Sequence, residues 1–415
     1  MLSSQNQNAH PQAIKIEQSI IVHKYGGSSM ATPEKIKQVA CRVVHALKAG
    51  KSVVVVVSAM GDTTNQLIAL ASQVSPQPQR RELDMLITVG ERISMALLSM
   101  AIQDLGYPAV SFTGSQSGII TTDNHSNARI IKISPHRIQK ALSEGKVVIV
   151  AGFQGVSEKL EITSLGRGGS DTTAVALAAA LNAEYAEICS DVDGVYSADP
   201  RVVEKPIKQE ELAYEEMQNL ADAGAKVLNA EAVEWARRSG IEIRCVATQE
   251  IESKGTQIKQ VHNDAYHFPM VSAVTHHPSL YYVQGEGFVP SGLIDLLASF
   301  GIVDAQINSN QQSWQSWIPR QNLHQIESFE TQLQSICQPK VFRKDLTQIS
   351  LVGRGLLHQS HQNGILVQAL EILKAHQVEI FGYDFHASAL SIAILSSESK
   401  LVIQKLHQAF IENPS

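Results

Sequence analysis

The sequence predicts an α/β protein built on a mainly parallel sheet covered by helices. Three observations carry this. Val53 to Val57 is a run of five valines, and a strand apolar on both faces belongs inside a parallel sheet with helices on either side. Val147 to Val150 has the same character. A strand-loop-helix rhythm also occurs twice within about 60 residues, as α/β folds require.

The elements follow in order. Ser19 to Tyr25 (SIIVHKY) reads as a strand broken by Gly26-Gly27-Ser28-Ser29. Thr32-Pro33 opens a helix, with Thr as N-cap and Pro at the first helical position. Ile36, Val39, Ala40, Val43, Val44 and Leu47 keep helical spacing as far as Gly50. After the valine strand, Ser58 to Thr64 is a loop and Asn65 to Val74 a helix. Gln73 to Arg81 is a polar connection, and Glu82 to Leu105 has helical periodicity interrupted near Gly90. Ala109 to Phe112 and Ile119 to Thr121 are short strands, and Ser134-Pro135 starts a helix closed by Gly145. Gly166-Arg167-Gly168-Gly169-Ser170 runs into an alanine-rich helix, Thr172 to Ala183. The strand Tyr185 to Cys189 and the acidic turn Ser190-Asp191-Val192-Asp193-Gly194 come next. Tyr214 to Ala223 and Ala225 to Ser239 read as helices, and Ile241 to Ala247 as the last strand of this region. Its Gly/Ser/Thr loops follow strand ends, where open parallel sheets bind ligands.

Around residue 260 the units shorten. Leu280 to Val283 with Gly292 to Phe300, and Gln348 to Val352 with Ile365 to His376, form an internal repeat of two small α/β units. Strands at Val378 to Tyr383 and Leu390 to Leu395 complete the second. Between the units, Ser309 to Arg320 (SNQQSWQSWIPR) is Gln-rich with Trp314 and Trp317 exposed in pattern, and reads as a loop, or as a partner contact if the Trp pair is at the surface.

The chain of 415 residues carries 34 basic and 40 acidic side chains, a net charge of −6. No basic block occurs, which argues against nucleic acid as a partner. The four cysteines are far apart without a Cys-x-x-Cys, and read as reduced thiols of a cytoplasmic protein. Residues 1–18 are polar, lack a signal core and read as a frayed extension. No stretch reads as long enough for a membrane span.

Several residues suit chemistry. The amides of a helix that follows a glycine-rich turn seat an anion, most simply a phosphate, and Arg167 stands inside that turn. Lys24, at a strand end beside Gly26-Gly27, either reaches a phosphate or is a solvated strand-end lysine. There is no Gly-x4-Gly-Lys-Ser/Thr, and no HRD or DFG set, so neither a P-loop nor a protein-kinase fold is expected. Ser58 and Thr64 either bind a small polar ligand or cap the next helix. Glu91 either pairs with Arg92 at the surface or is a site carboxylate. Asp171 sits where a helix cap belongs. Asp191 and Asp193 could place Mg²⁺, bind ribose or shape the turn. His358 and His361 have no third ligand nearby and do not read as a metal site.

Five of these segments occur together and in order: Lys24-Tyr25-Gly26-Gly27-Ser28-Ser29, Val57 to Asn65, Gly90-Glu91-Arg92, Gly166 to Ala174, and Asp191-Val192-Asp193-Gly194-Val195-Tyr196. In this the chain resembles the aspartokinases over roughly residues 20 to 260. The resemblance implies an amino-acid kinase fold (a mainly parallel sheet sandwiched by helices) over residues 19–262, followed by two ACT-like ferredoxin-type α+β units over residues 263–415. It implies transfer of the ATP γ-phosphoryl group to the side-chain carboxylate of L-aspartate, with Mg²⁺ arriving on ATP and no metal held by the protein alone. A carboxylate nucleophile is already ionised at neutral pH, so no general base is expected.

By resemblance, Lys24, Asp171 and Arg167 are catalytic, Asp171 orienting the lysine. Ser58, Thr64, Glu91, Arg167, Gly168, Gly169 and Ser170 hold the substrate. Lys24, Tyr25, Gly26, Gly27, Ser190, Asp191, Asp193, Gly194, Tyr196, Arg201 and Lys226 hold the nucleotide. The resemblance also implies a homodimer or higher oligomer through the ACT-like region, and a first step toward lysine-, threonine- and methionine-type amino acids. The tail departs from the family pattern at Gly285 to Gly292, at Ile302 to Ser309 and at Gly353-Arg354-Gly355, so weak or unusual feedback regulation is expected. The alternatives are a kinase of another small carboxylate on the same fold, or a non-catalytic regulatory paralogue.

Overall fold

The computed structural model describes residues 19–166, 168–225, 227–261, 271–302, 305–320, 323, 326–353, 356, 359–386 and 388–413. The extension 1–18, the expected boundary after residue 262, and Arg167, Lys226, Arg354, Gly355 and His358 lie outside the described residues, as does the side chain of His361.

The first region runs β1 (Ile20–Tyr25), α1 (Pro33–Lys48), β2 (Ser52–Val57), α2 (Thr63–Val74), α3 (Arg80–Ile87), α4 (Val89–Asp104), β3 (Ala109–Phe112), β4 (Ile119–Thr121), β5 (Ile130–Ile133), α5 (His136–Ser143), β6 (Val147–Ala151), β7 (Gln154–Ser157) and β8 (Ile162–Ser164). It continues through α6 (Gly169–Ala180), β9 (Tyr185–Ser190), β10 (Glu211–Ala213), α7 (Tyr214–Asp222), α8 (Ala230–Ser239), β11 (Glu242–Ala247) and β12 (Thr256–Lys259). The main sheet has the order β10-β12-β11-β9-β1-β2-β6-β3, and the pairs from β11 to β3 are all parallel. The valine strands lie at its centre, with Val53 to Val57 and Val147 to Val150 all buried. A second sheet, β5-β4-β7-β8, stands beside it.

The carboxyl ends of β1, β2, β6, β9 and β11 therefore share one edge, and the expected loops leave from it. At α1 the Thr32 side chain accepts from the Lys35 N–H at 3.4 Å and Pro33 opens the helix, as the sequence predicts. Ten of the twelve residues of α6 are buried, because alanine after alanine lets it lie flat between the sheet and α8.

Some expectations fail. The helix read from Ala225 starts at Ala230, since the Asn229 side chain caps it by accepting from the Glu231 N–H at 2.8 Å. The break expected near Gly90 is present, at Thr88, whose hydroxyl donates to the Asp84 carbonyl at 2.8 Å. β5, β7, β8, β10 and β12 were not legible as strands. Contrary to the reading of the sequence, Arg80–Asp104 is long and apolar enough by composition to cross a membrane. Here it is two helices, with α4 packed on α1, β3 and β6.

The second region is β13 (Ala273–Glu286), α9 (Ser291–Ser299), β14 (Gln306–Ser309), β15 (Ser313–Pro319) and α10 (Ile326–Cys337), then β16 (Val341–Val352), α11 (Gln359–Ala375), β17 (Ile380–His386), β18 (Ala389–Leu395) and α12 (Ser399–His407). The repeat is thus β-α-β-β-α, twice. Both copies share one antiparallel sheet, β14-β15-β13-β16-β18-β17, joined through β13 and β16. The expected loop 309–320 is wrong: it is mostly the β14–β15 hairpin, and Trp314 and Trp317 are buried at 2% exposure each. Trp314 lies over Gly285, where any side chain would stand 2.4 Å from its Nε1. The strand expected from Ile302 begins at Gln306.

Among the described residues the regions touch in several places. Ala198 and Val203 pack in the core beneath α11 and α12, and the Ser197 carbonyl accepts from the Val274 N–H at 2.7 Å. At the other end, Arg80 of α3 donates to the Ser299 carbonyl at the end of α9.

Candidate active site

Lys24 is the penultimate residue of β1 and Tyr25 the last. Successive strand residues face opposite sides, and here that decides their fates. Lys24 Nζ reaches 2.6 Å from Asp171 Oδ1, in the first turn of α6. Tyr25 is fully buried, its hydroxyl 3.2 Å from His23 Nδ1. Of Tyr25, expected among the residues that hold the nucleotide, only the backbone is at the edge, where its carbonyl accepts from the Ser58 N–H at 3.0 Å.

Gly26 and Gly27 turn the chain beside Lys24. A side chain at Gly27 would stand 3.0 Å from the Gly61 carbonyl and 3.1 Å from that of Ala59, so the loops after β1 and β2 close on each other only with glycine there. Gly168 precedes α6 with φ 76°, a left-handed backbone that glycine adopts without cost. In the first turn of α6 the Gly169 N–H donates to the Gly166 carbonyl at 3.1 Å and the Asp171 N–H to that of Gly168 at 2.9 Å. Gly169 and Ser170 are the first residues of that helix, Ser170 buried against Gly152 at the end of β6. Ser58 and Thr64 are half-buried on the β2 loop and the first turn of α2.

Glu91 does not pair at the surface. It is 3% exposed, and its Oε1 accepts from the Ala59 N–H at 3.1 Å. Its Oε2 is buried without a hydrogen-bond partner. Burial pushes its carboxyl up to about 7, against the lowering effect of its backbone bonds. A carboxylate held this way lacks a cation.

A cavity of about 330 Å³ opens on the same edge, on the side of β9 and β11, within the range of about 300–1,000 Å³ usual for small-molecule sites. Ser190, Asp191 and Asp193 line it. Asp193 is already engaged: Lys208 at 2.8 Å holds it below the usual carboxylate range, and Tyr196 donates to it at 2.8 Å. Gly194 packs against Thr256. Arg201 does not line the cavity; it is 82% exposed and grips Asp199 through Nε and Nη2. A nearer carboxylate, two residues away, takes its guanidinium. Among the described residues no group of three or more His, Cys, Asp or Glu could hold a metal ion.

Reading the sequence missed Ser28, Ser29, Lys35, Gln38, Thr248 and Glu250, which also line the cavity. The loop after β11 was findable, since it follows a parallel strand end. Beneath that loop, Arg42 of α1 donates from Nη1 to the carbonyls of Ala247, Thr248 and Glu250, and from Nη2 to Glu187 at 2.8 Å. Burial pushes the Glu187 carboxyl upward, but His23 and Arg42 outweigh it and hold it below its ordinary value.

Residues 19–247 match the model of the amino acid kinase family. The chain is 40% identical to the aspartokinases of Mycobacterium tuberculosis and Corynebacterium glutamicum, over 94% of this chain and 96% of each relative. It is 39% identical to that of Geobacillus stearothermophilus, over 94% and 97%. In fold it is similar to the R-state structure of E. coli aspartokinase III in complex with aspartate and ADP, with a TM-score of 0.80 and 22% identity over 94% of this chain and 99% of that one. Aligned over nearly its whole length with these proteins, and with the lysine, the glycine turns and the buried glutamate gathered at one sheet edge, the chain belongs to the amino acid kinase family and, within it, to the aspartokinases.

Proposed function

We propose that this protein is an ATP-dependent aspartate kinase. The observation that carries the reading is the Lys24–Asp171 pair at 2.6 Å, set between a glycine turn and a helix N-terminus at the edge of the sheet. An oxygen of the aspartate side-chain carboxylate attacks the γ-phosphorus, the bond to the β–γ bridging oxygen breaks, and ADP leaves with that electron pair. Positioning and charge are what the protein supplies. Lys24 meets the transferring phosphoryl group, Asp171 fixes its direction, and the Gly26-Gly27 turn lets the phosphates approach the backbone beside them. Glu91 takes the substrate ammonium on its partnerless Oε2, while Arg167, Thr64 and Ser58 hold the substrate carboxylate side. Ser190, Asp191 and the loop after β11 hold the nucleoside. Mg²⁺, carried on ATP, offsets the phosphate charge.

A coupled ADP-release assay with aspartate, with glutamate and with no acceptor tests this. ADP release that depends on aspartate, with a hydroxamate formed on adding hydroxylamine, is expected. Release with glutamate instead, or none above the acceptor-free rate, would reject the reading.

The two C-terminal repeats are, on this reading, an ACT-like pair that joins two copies of the chain, residues 19–262 being the catalytic part. The product enters amino-acid biosynthesis, in the cytoplasm, where the free thiols of Cys41, Cys189, Cys245 and Cys337 stay reduced. Regulation is weak. Trp314 covers Gly285, and Glu286, 75% exposed on its side chain, pairs with Lys340 at 2.7 Å at the surface, outside any buried pocket for an amino acid's ammonium. Steady-state rates with lysine and threonine, singly and together at millimolar levels, are expected to fall by less than half. Concerted shutdown by the pair would contradict this.

A further inference from the structure

Asp84 lies on α3 with no exposed surface. Its carboxylate accepts hydrogen bonds from two segments distant in sequence. In the loop before β5, the Ser126 N–H stands 3.1 and 3.0 Å from its two oxygens, and His125 Nδ1 is at 2.8 Å. At the end of β8, the Ser164 N–H is at 3.2 Å and the Ser164 hydroxyl at 2.6 Å. Ser126 has φ 67°, a left-handed backbone uncommon outside glycine, and the bonds to Asp84 hold it there. Asn127 next to it packs on Gly166, whose substituted Cβ would be 3.0 Å from Asn127 Oδ1. Ser164 leads directly into the turn at Gly166 to Ser170.

The same helix is tied to the other side of the substrate. α3 passes through Thr88 into α4, which carries Glu91 in its first turn. One carboxylate thus joins the backbone that bears Glu91 to the backbone that bears the glycine turn. Nothing in the chemistry above uses Asp84, and a buried charge so fully bonded sets geometry where it stands.

We infer that Asp84 is a positioning residue that fixes the spacing between Glu91 and the Gly166 to Ser170 turn, and so sets affinity for the amino-acid substrate. The inference rests on the reading of the site given under Proposed function. Asp84→Asn in the full chain keeps the shape but turns an N–H₂ toward groups that already donate. The KM for aspartate is expected to rise about tenfold or more, with the KM for ATP and kcat within about threefold. Ser164→Ala, which removes one bond of the set, moves the same constant in the same direction by less. A merely structural role would lower the melting temperature and the active fraction while leaving both KM values of the surviving enzyme alone, and that outcome would overturn the inference. If Asp84→Asn does not fold, an unchanged aspartate KM in Ser164→Ala overturns it. The wild type is measured first: no aspartate-dependent ADP release there rejects the substrate reading, and the positioning role with it.

Discussion

Lys24→Ala is expected to lower kcat by about a hundredfold or more while leaving the circular dichroism spectrum unchanged. A single preorganised donor aimed at developing charge is worth roughly 3 kcal/mol, and Lys24 carries a full charge on the transferring group. Its partner explains the rest. Asp171 is 10% exposed on its side chain and has Lys24 at 2.6 Å. Removing the lysine leaves that carboxylate beside the incoming phosphates, where like charges repel. The KM for ATP is therefore expected to rise as well, and Asp171→Asn in the same background to recover part of it. Turnover within a few-fold of wild type would place the transferring group away from Lys24.

Glu91→Gln has opposite effects on activity and stability. The substrate ammonium loses a charge-assisted bond worth about 1.5–3 kcal/mol, so kcat/KM for aspartate is expected to fall by roughly ten- to a hundredfold. Stability moves the other way at high pH. The Glu91 carboxyl, near 7 in the free protein against about 4.5 unfolded, binds its proton more tightly when folded. Its favourable contribution is thus full below pH 4.5 and lost as pH rises through 7. On the order of 3 kcal/mol separates the two limits. Glutamine cannot ionise, so the variant's melting temperature relative to wild type is expected to climb between pH 5 and pH 8. In wild type, kcat/KM for aspartate is expected to rise with pH through about 7, a limb the variant lacks. Parallel pH dependence in the two proteins would remove Glu91 from the substrate site.

Much of this was legible because composition alone dictated it. Five valines with no polar residue have nowhere to go but the centre of a covered sheet, and loops at the ends of such strands share an edge. Lys24, Glu91 and Asp171 stood out for another reason: the motifs that contain them resemble those of the aspartokinases. What failed needed information from across the fold. Tyr25 adjoins Lys24 in a motif, yet strand alternation sends its ring to the far side. Trp314 and Trp317 look exposed among glutamines and serines, because the glycines that receive them, Gly285 and Gly382, lie on other strands. Lys35 and Gln38 share the cavity with Thr248 and Glu250, and no spacing in the chain announces that meeting. Asp84 reads as one more polar position on a helix; only the bonds to Ser126 and Ser164 reveal its position between two site segments.

The shared C-terminal sheet has a consequence for how the chain can be divided. β13 pairs with β15 on one side and β16 on the other, so neither repeat completes its sheet alone. A chain ending after α10 would expose the whole outer edge of β13, from Ala273 to Gln284, as unpaired amides and carbonyls. Such a long unpaired edge recruits other strands. The two repeats thus form one cooperative unit, and shortened forms of the protein would self-associate at that edge before they behaved as smaller enzymes.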